Sequence, residues 1–142
     1  MEKLSFEQYV EVMEKRVPLH NFLGIKLLDY QKDYARIAVP FRPEFLGNFI
    51  HGFWHGGISA AVMDAIGGIA ADSHFYPQSA VGRLATIDLR IDYIRPVQKR
   101  AIIAEGRVIR AGNKTMLVKM RLFHEDAPSE ILVEGRGVWN IR

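Results

Sequence analysis

The sequence predicts an α+β fold in which a curved, mostly antiparallel sheet wraps around one long central helix. Three observations carry this. The strand-like segments fall as two before a long helix and four after it, with no crossover helix between neighbouring strands, and parallel pairs need such crossovers. The segment from Gly56 to Ala71 is apolar on nearly all sides and holds a single charge, Asp64. A helix of that kind is normally enclosed by protein. The later segments alternate apolar and polar residues, as expected for a sheet with one buried face.

The elements follow in order. Ser5-Phe6-Glu7-Gln8 has the form of a capping box, and Phe6, Tyr9, Val10, Met13 and Val17 recur at helical spacing until Pro18. This predicts a short amphipathic helix over about residues 5–17. Gly24 to Tyr30 and Tyr34 to Pro40 read as strands joined by a turn at Gln31-Lys32-Asp33. Residues 41–55 form a loop rich in aromatic side chains, either packed on the core or lining a pocket. The long helix contains Gly67-Gly68, which costs about 2 kcal/mol of helix propensity relative to two alanines. Close packing of that helix against a neighbour accounts for the pair.

After Pro77, Leu84 to Ile94 reads as a strand. Ile87, Leu89, Ile91 and Tyr93 alternate there with Thr86, Asp88, Arg90 and Asp92, which places Thr86 on the polar face. Ala101 to Arg110 and Lys114 to Phe123 form a hairpin turned at Gly112-Asn113. Ile131 to Ile141 closes the sheet. With no repeat, linker or low-complexity tract, residues 1–142 read as one domain.

Apolar residues make up 49% of the chain and charged residues 25%, an ordinary globular mixture that argues against long disorder. A formal charge of +3 is too weak to argue for nucleic acid. The basic residues are uneven: Arg83, Arg90, Arg95, Lys99, Arg100, Arg107, Arg110 and Lys114 lie in one stretch with three acids, Asp88, Asp92 and Glu105. This stretch is either a solvated sheet edge or a landing site for a polyanionic small molecule. The absence of cysteine excludes disulfides and thiolate chemistry. No signal peptide or membrane span is apparent, and a cytoplasmic protein is expected.

Asp64 is the residue that asks for a function. A carboxylate is rarely buried unless it is paired or has chemistry to do. The same helix opens with Gly56-Gly57, whose bare N–H groups face a positive dipole end suited to an anion. Asp64 lies eight residues after Gly56, about 12 Å along the helix. It cannot easily reach a carbonyl held at its own helix start. An antiparallel second copy would bring one chain's Asp64 to the other's Gly-Gly terminus, giving two symmetric sites.

His55-Gly56-Gly57 followed by Asp64, with Leu84 to Pro96 and Gly106 to Lys114 downstream, resembles the hotdog-fold acyl-CoA thioesterases of the phenylacetate-degradation type. The resemblance covers about residues 20–141. It implies a hotdog fold, a homodimer with sites at its interface, often paired into a tetramer, and hydrolysis of acyl-CoA to free acid and coenzyme A. It further implies that Asp64 acts as general base or nucleophile, and that Gly57, with Gly56 beside it, offers an N–H to the developing oxyanion. Asn48 matches the asparagine that orients carbonyl or water, though it also suits a Gly47-Asn48 turn. His55 matches the motif histidine that holds the loop. Thr86 lies where relatives carry a hydroxyl that positions water.

Coenzyme A phosphates would meet basic residues at the rim, among them Arg83, Arg95, Lys99, Arg100, Arg110 and Lys114. Phe45, Phe49, Phe53 and Trp54 would line the acyl side, which suggests a medium or long fatty chain. His51 and His55 are four residues apart, but the glycines around them disfavour the helix that a metal pair needs, so no metal and no redox cofactor is expected. The alternatives are an acyl-CoA-binding regulatory module without turnover, and a dehydratase or hydratase on the same fold.

Overall fold

The computed structural model describes residues 1–142. Along the chain run β1 (Glu2–Lys3), α1 (Phe6–Glu11), a π-helical turn (Val12–Arg16), α2 (Pro18–Leu23), β2 (Lys26–Gln31) and β3 (Tyr34–Val39). A 3-10 turn (Pro43–Phe45), β4 (Leu46–Asn48), β5 (Phe53–Trp54), α3 (Gly56–Ser73) and β6 (Gln78–Ser79) follow. The chain ends with β7 (Leu84–Tyr93), β8 (Ile102–Ala111), β9 (Thr115–Phe123) and β10 (Val133–Ile141).

The six long strands form one antiparallel sheet in the order β2-β3-β8-β9-β10-β7, and α3 packs across all six. This is the hotdog arrangement: a sheet curled round a central helix. In β9, Met116, Val118, Met120 and Leu122 are buried while Lys119 and Arg121 are exposed, the period-two pattern of a sheet with one covered face. From α3, Val62, Met63, Ile66, Ile69 and Ala70 complete the core.

Glycines let the helix and sheet approach. A Cβ on Gly67 would lie 2.0 Å from Cη2 of Trp139, and one on Gly106 would lie 2.8 Å from Cβ of Ala70. The Gly67 half of the Gly-Gly pair therefore serves close packing. Gly68 does not share this constraint, since its Cβ would meet only Nε1 of Trp139 at 3.4 Å.

The N-terminal region differs from the expected single helix over 5–17. The Ser5–Gln8 capping box is present, but the helix widens into the π turn, and Pro18 opens a second helix instead of ending the first. Proline at the first helical position loses nothing, because its missing N–H would have no partner there. Gly24, expected to start a strand, caps α2 in the left-handed conformation at φ 74°. The loop 41–55 holds the small β4–β5 pair, and β6, which pairs with β1, has no forecast in the sequence.

The buried acid is also not the one that stands out in the sequence. Asp72, one residue beyond the apolar run, is 1% exposed. It accepts hydrogen bonds from the Tyr30 hydroxyl at 2.8 Å, the Ser79 hydroxyl and the Ala80 N–H. Burial pushes its carboxyl above the ordinary range, against the pull of these donors. Asp64 is only half-buried.

Candidate active site

Two cavities hold the chemistry-bearing residues, and their linings share no residue. The first, of about 720 Å³, surrounds the start of α3. The β4–β5 turn, the first turn of α3 and the chain after β7 form its walls. His55 is the N-cap of α3, and its Nδ1 accepts a 2.8 Å hydrogen bond from the Gly57 N–H. That bond makes Nδ1 the unprotonated ring nitrogen. A histidine side chain thus fills the place that Ser, Thr, Asp or Asn usually takes. The Tyr93 hydroxyl donates to the Gly56 carbonyl at 2.6 Å and ties the end of β7 to the helix start. Tyr93 was not among the expected site residues, and nothing local in the sequence links it to Gly56.

Asn48 closes its own turn. Its Oδ1 accepts from the N–H groups of Ile50 and His51 at 3.1 and 2.9 Å. Phe49 is 81% exposed at the cavity rim. Trp54 also lines the cavity, yet it is mostly core: its ring packs on Phe45 and Phe41, and its Nε1–H donates to the Arg100 carbonyl. His51 stacks on the Phe53 ring while His55 turns to Gly57.

The basic candidates separate. Arg95 lines this cavity and is bound to the Ile131 carbonyl and Glu130. The Lys99 side chain passes close to Gly52 in the same turn. Arg110 lies at the opposite end of β8 from Ile102, about 26 Å along the strand at 3.3 Å per residue. Arg83 is bonded to the Arg142 carbonyl and Arg100 is paired with Asp126.

The second cavity, of about 220 Å³, contains Asp64. Thr86 Oγ1 donates to Asp64 Oδ1 at 2.8 Å. Most of the remaining wall is apolar, including Val12, Met13, Val17, Ile69 and Leu84. His20 of α2 also faces this space, and its Nδ1 is held by the Met13 carbonyl at 2.8 Å. Since a carbonyl only accepts, Nδ1 carries the proton. Burial lowers the His20 pKa, opposed by the Met13 carbonyl and the Asp64 charge. His20 was missed in the sequence because it follows the proline expected to end the helix.

The pairing of Thr86 with Asp64 corrects the alternation argument for β7. β10 keeps one phase throughout, with Val133, Gly135, Gly137 and Trp139 buried. Their partners on β7 are Tyr93, Ile91, Leu89 and then Thr86, so the register skips Ile87. This β-bulge moves the later inward positions from odd to even numbers. Thr86 turns toward α3, and Ile87 turns outward at 56% exposure.

In one chain, Asp64 and the helix start are therefore separate. Seven residues part Asp64 from Gly57 within α3, about 10 Å at 1.5 Å per residue.

Comparison with known proteins identifies this architecture. The family model described as "Thioesterase superfamily" matches residues 51–131. The medium/long-chain acyl-CoA thioesterase YigI of Salmonella typhimurium is 30% identical over 126 residues, covering 82% of this chain and 81% of the relative. The protein of the same name from Escherichia coli K12 is 29% identical with the same coverage. A solved structure from Shewanella oneidensis, described as related to the thioesterase superfamily, aligns at a TM-score of 0.84 with 31% identity, covering 96% of this chain and 94% of that one. The chain belongs to the thioesterase superfamily and is a thioester hydrolase with a hotdog fold.

Proposed function

We propose that this protein hydrolyses acyl-CoA, with medium or long fatty acyl chains as substrates, at two sites formed between copies of the chain. The observation that carries the reading is the Thr86–Asp64 pair at an apolar cavity, separate from the helix-start pocket of its own chain. The relatives named for medium/long-chain acyl-CoA support the substrate class.

In this reading, Asp64 of one copy faces the Gly57 end of α3 in another. Thr86 aims the carboxylate, which takes a proton from water as the water attacks the thioester carbonyl. The carbonyl oxygen gains negative charge against helix-start N–H groups, at the positive end of the dipole. The tetrahedral species then collapses, the C–S bond breaks, and coenzyme A leaves as the thiol after protonation. A nucleophilic role for Asp64, through an anhydride, would use the same contacts. The reading needs no metal or redox cofactor, because base, oxyanion donor and water balance the reaction. Gly56, Arg95 and Lys99 belong to the coenzyme side. So do Phe49 and Trp54, which line the helix-start pocket and not the cavity at Asp64, a change from the acyl-side role expected of them. Asn48 and His55 shape that pocket, and Arg110 enters only from another copy.

The outer strand β7 supports a two-fold pairing. It has β10 as its one neighbour and exposes Ile87 at 56% and Tyr93 at 55%. A ten-residue edge with exposed apolar side chains is a natural surface for a second strand. Such a dimer, alone or doubled into a tetramer, would be expected in the cytoplasm with its substrate. No helix of the chain is long and apolar enough to cross a membrane.

One observation favours binding without turnover: His55 already occupies the Gly57 N–H. The test is thiol release from acyl-CoAs of graded length by wild type and Asp64→Asn, with the mass of each in solution. Wild type should release thiol, and the variant should keep its assembly and lose most turnover. Saturable binding with no thiol release would favour the regulatory module, and full activity of Asp64→Asn would end the catalytic assignment.

A further inference from the structure

Gly68 presents a cost that packing does not explain. Glycine inside a helix loses about 1 kcal/mol relative to alanine. At Gly67 the return is visible, because a Cβ there would overlap the Trp139 ring. At Gly68 a Cβ would make only an ordinary contact at 3.4 Å. Gly68 faces the 220 Å³ cavity that begins at Asp64, and the missing side chain leaves that space open.

We propose that this cavity is the acyl cleft, and that Gly68 determines the length of chain it admits. The inference rests on the thioesterase reading above and adds the direction in which the substrate lies. The cleft follows one side of α3 past Asp64, Ala65, Gly68 and Ile69 to Asp72, about 12 Å at 1.5 Å per residue. Beyond Val12, Val17 and Val81 lies a second groove of about 810 Å³, which has these three residues as a shared wall.

The lining selects hydrocarbon over the pantetheine arm. Pantetheine carries amides that need hydrogen-bond partners when buried. Several polar groups of the cleft are engaged: Asp64 Oδ1 with Thr86, Asp72 with Tyr30, Ser79 and Ala80, and His20 Nδ1 with the Met13 carbonyl. Its lining has no lysine or arginine to meet a phosphate. The helix-start pocket, by contrast, includes Arg95 and Asn48. A thioester held at Asp64 thus has one side with Arg95 and another with no cationic side chain, and the fatty chain belongs on the second.

The test compares butyryl-, dodecanoyl- and hexadecanoyl-CoA on wild type, Gly68→Ala, Gly68→Leu and Val17→Phe, the last filling the cleft from its facing wall. Excluding one or more methylenes from a fitted pocket costs about tenfold or more in kcat/KM. Gly68→Leu and Val17→Phe should each lower the dodecanoyl-to-butyryl ratio by at least about tenfold. Gly68→Ala should melt above wild type and shift the ratio less. Calorimetric binding of dodecanoate gives a readout independent of turnover. An unchanged ratio and unchanged dodecanoate affinity in folded Gly68→Leu and Val17→Phe overturn the cleft. Loss of dodecanoate binding in those variants, together with full turnover by Asp64→Asn, keeps the cleft and removes the catalytic reading instead.

Discussion

Thr86 Oγ1 donates a 2.8 Å hydrogen bond to Asp64 Oδ1, joining the outer strand of the sheet to the central helix. The bond exists because β7 bulges at Ile87, which carries Thr86 onto the helix-facing side. A hydrogen bond to a charged group contributes about 1.5–3 kcal/mol. If Thr86 orients the base, Thr86→Val should lower kcat/KM for acyl-CoA by about ten- to a hundredfold. Thr86→Ser keeps the donor and should stay close to wild type. Full activity in Thr86→Val, with the loss confined to Thr86→Ser, would mean that the methyl group matters and the hydroxyl does not.

His55 caps α3 through Nδ1 and the Gly57 N–H. Removing a side-chain cap typically costs about 1 kcal/mol. Urea unfolding of His55→Ala should show a loss of that size, and His55→Asn should recover most of it. A His55→Ala midpoint equal to that of wild type would show that the helix start is satisfied by water.

Gly67 and Trp139 form one packing unit, with a Cβ on Gly67 placed 2.0 Å from Cη2 of the indole. Overpacking costs about 1–3 kcal/mol, more than the roughly 1 kcal/mol of helix propensity that alanine adds. Gly67→Ala should therefore destabilise the fold. Trp139→Phe removes the overlapping atoms, so the double variant should lose less than the sum of the two single variants. Strict additivity in the double-mutant cycle would disprove the coupling.

His20 supplies a pH dependence whose sign is fixed. Burial holds its pKa below the ordinary 6.5 in the folded protein, despite the opposing Met13 carbonyl and Asp64 charge. The unfolded chain therefore takes up the proton first as the pH falls. The contribution of His20 is whole above about pH 6.5 and is lost as the pH falls through the lower folded value. Asp72 has the opposite sign: its raised carboxyl favours the fold in acid, and that contribution is lost as the pH rises through its folded value. Subtracting a His20→Asn curve from wild type isolates the histidine. The difference in unfolding free energy should decline from pH 7 toward pH 5, and a flat difference would place His20 in water.

The sheet, the central helix and the position of Asp64 were legible in the sequence because local rules govern them. The apolar run to Ala71, the alternation in β9 and the Gly112-Asn113 turn are periodic or chemically distinctive. The Ser5 capping box was equally plain, since its partners lie three residues apart. Asp72 was not legible as the buried acid. Its donors Tyr30 and Ser79 come from distant segments, and burial depends on who the neighbours are.

The amino-acid order alone determined that a helix with one acid in its middle and glycines at its head would lie in a curled antiparallel sheet. The tertiary structure decided which groups that acid meets. A single extra residue in β7 reverses the face of every position beyond it, and a strand bulges only in response to its partner. Thr86 from β7 and His20 from α2 gather round Asp64 of α3. Their convergence is set by the packing of those elements, which no local period encodes.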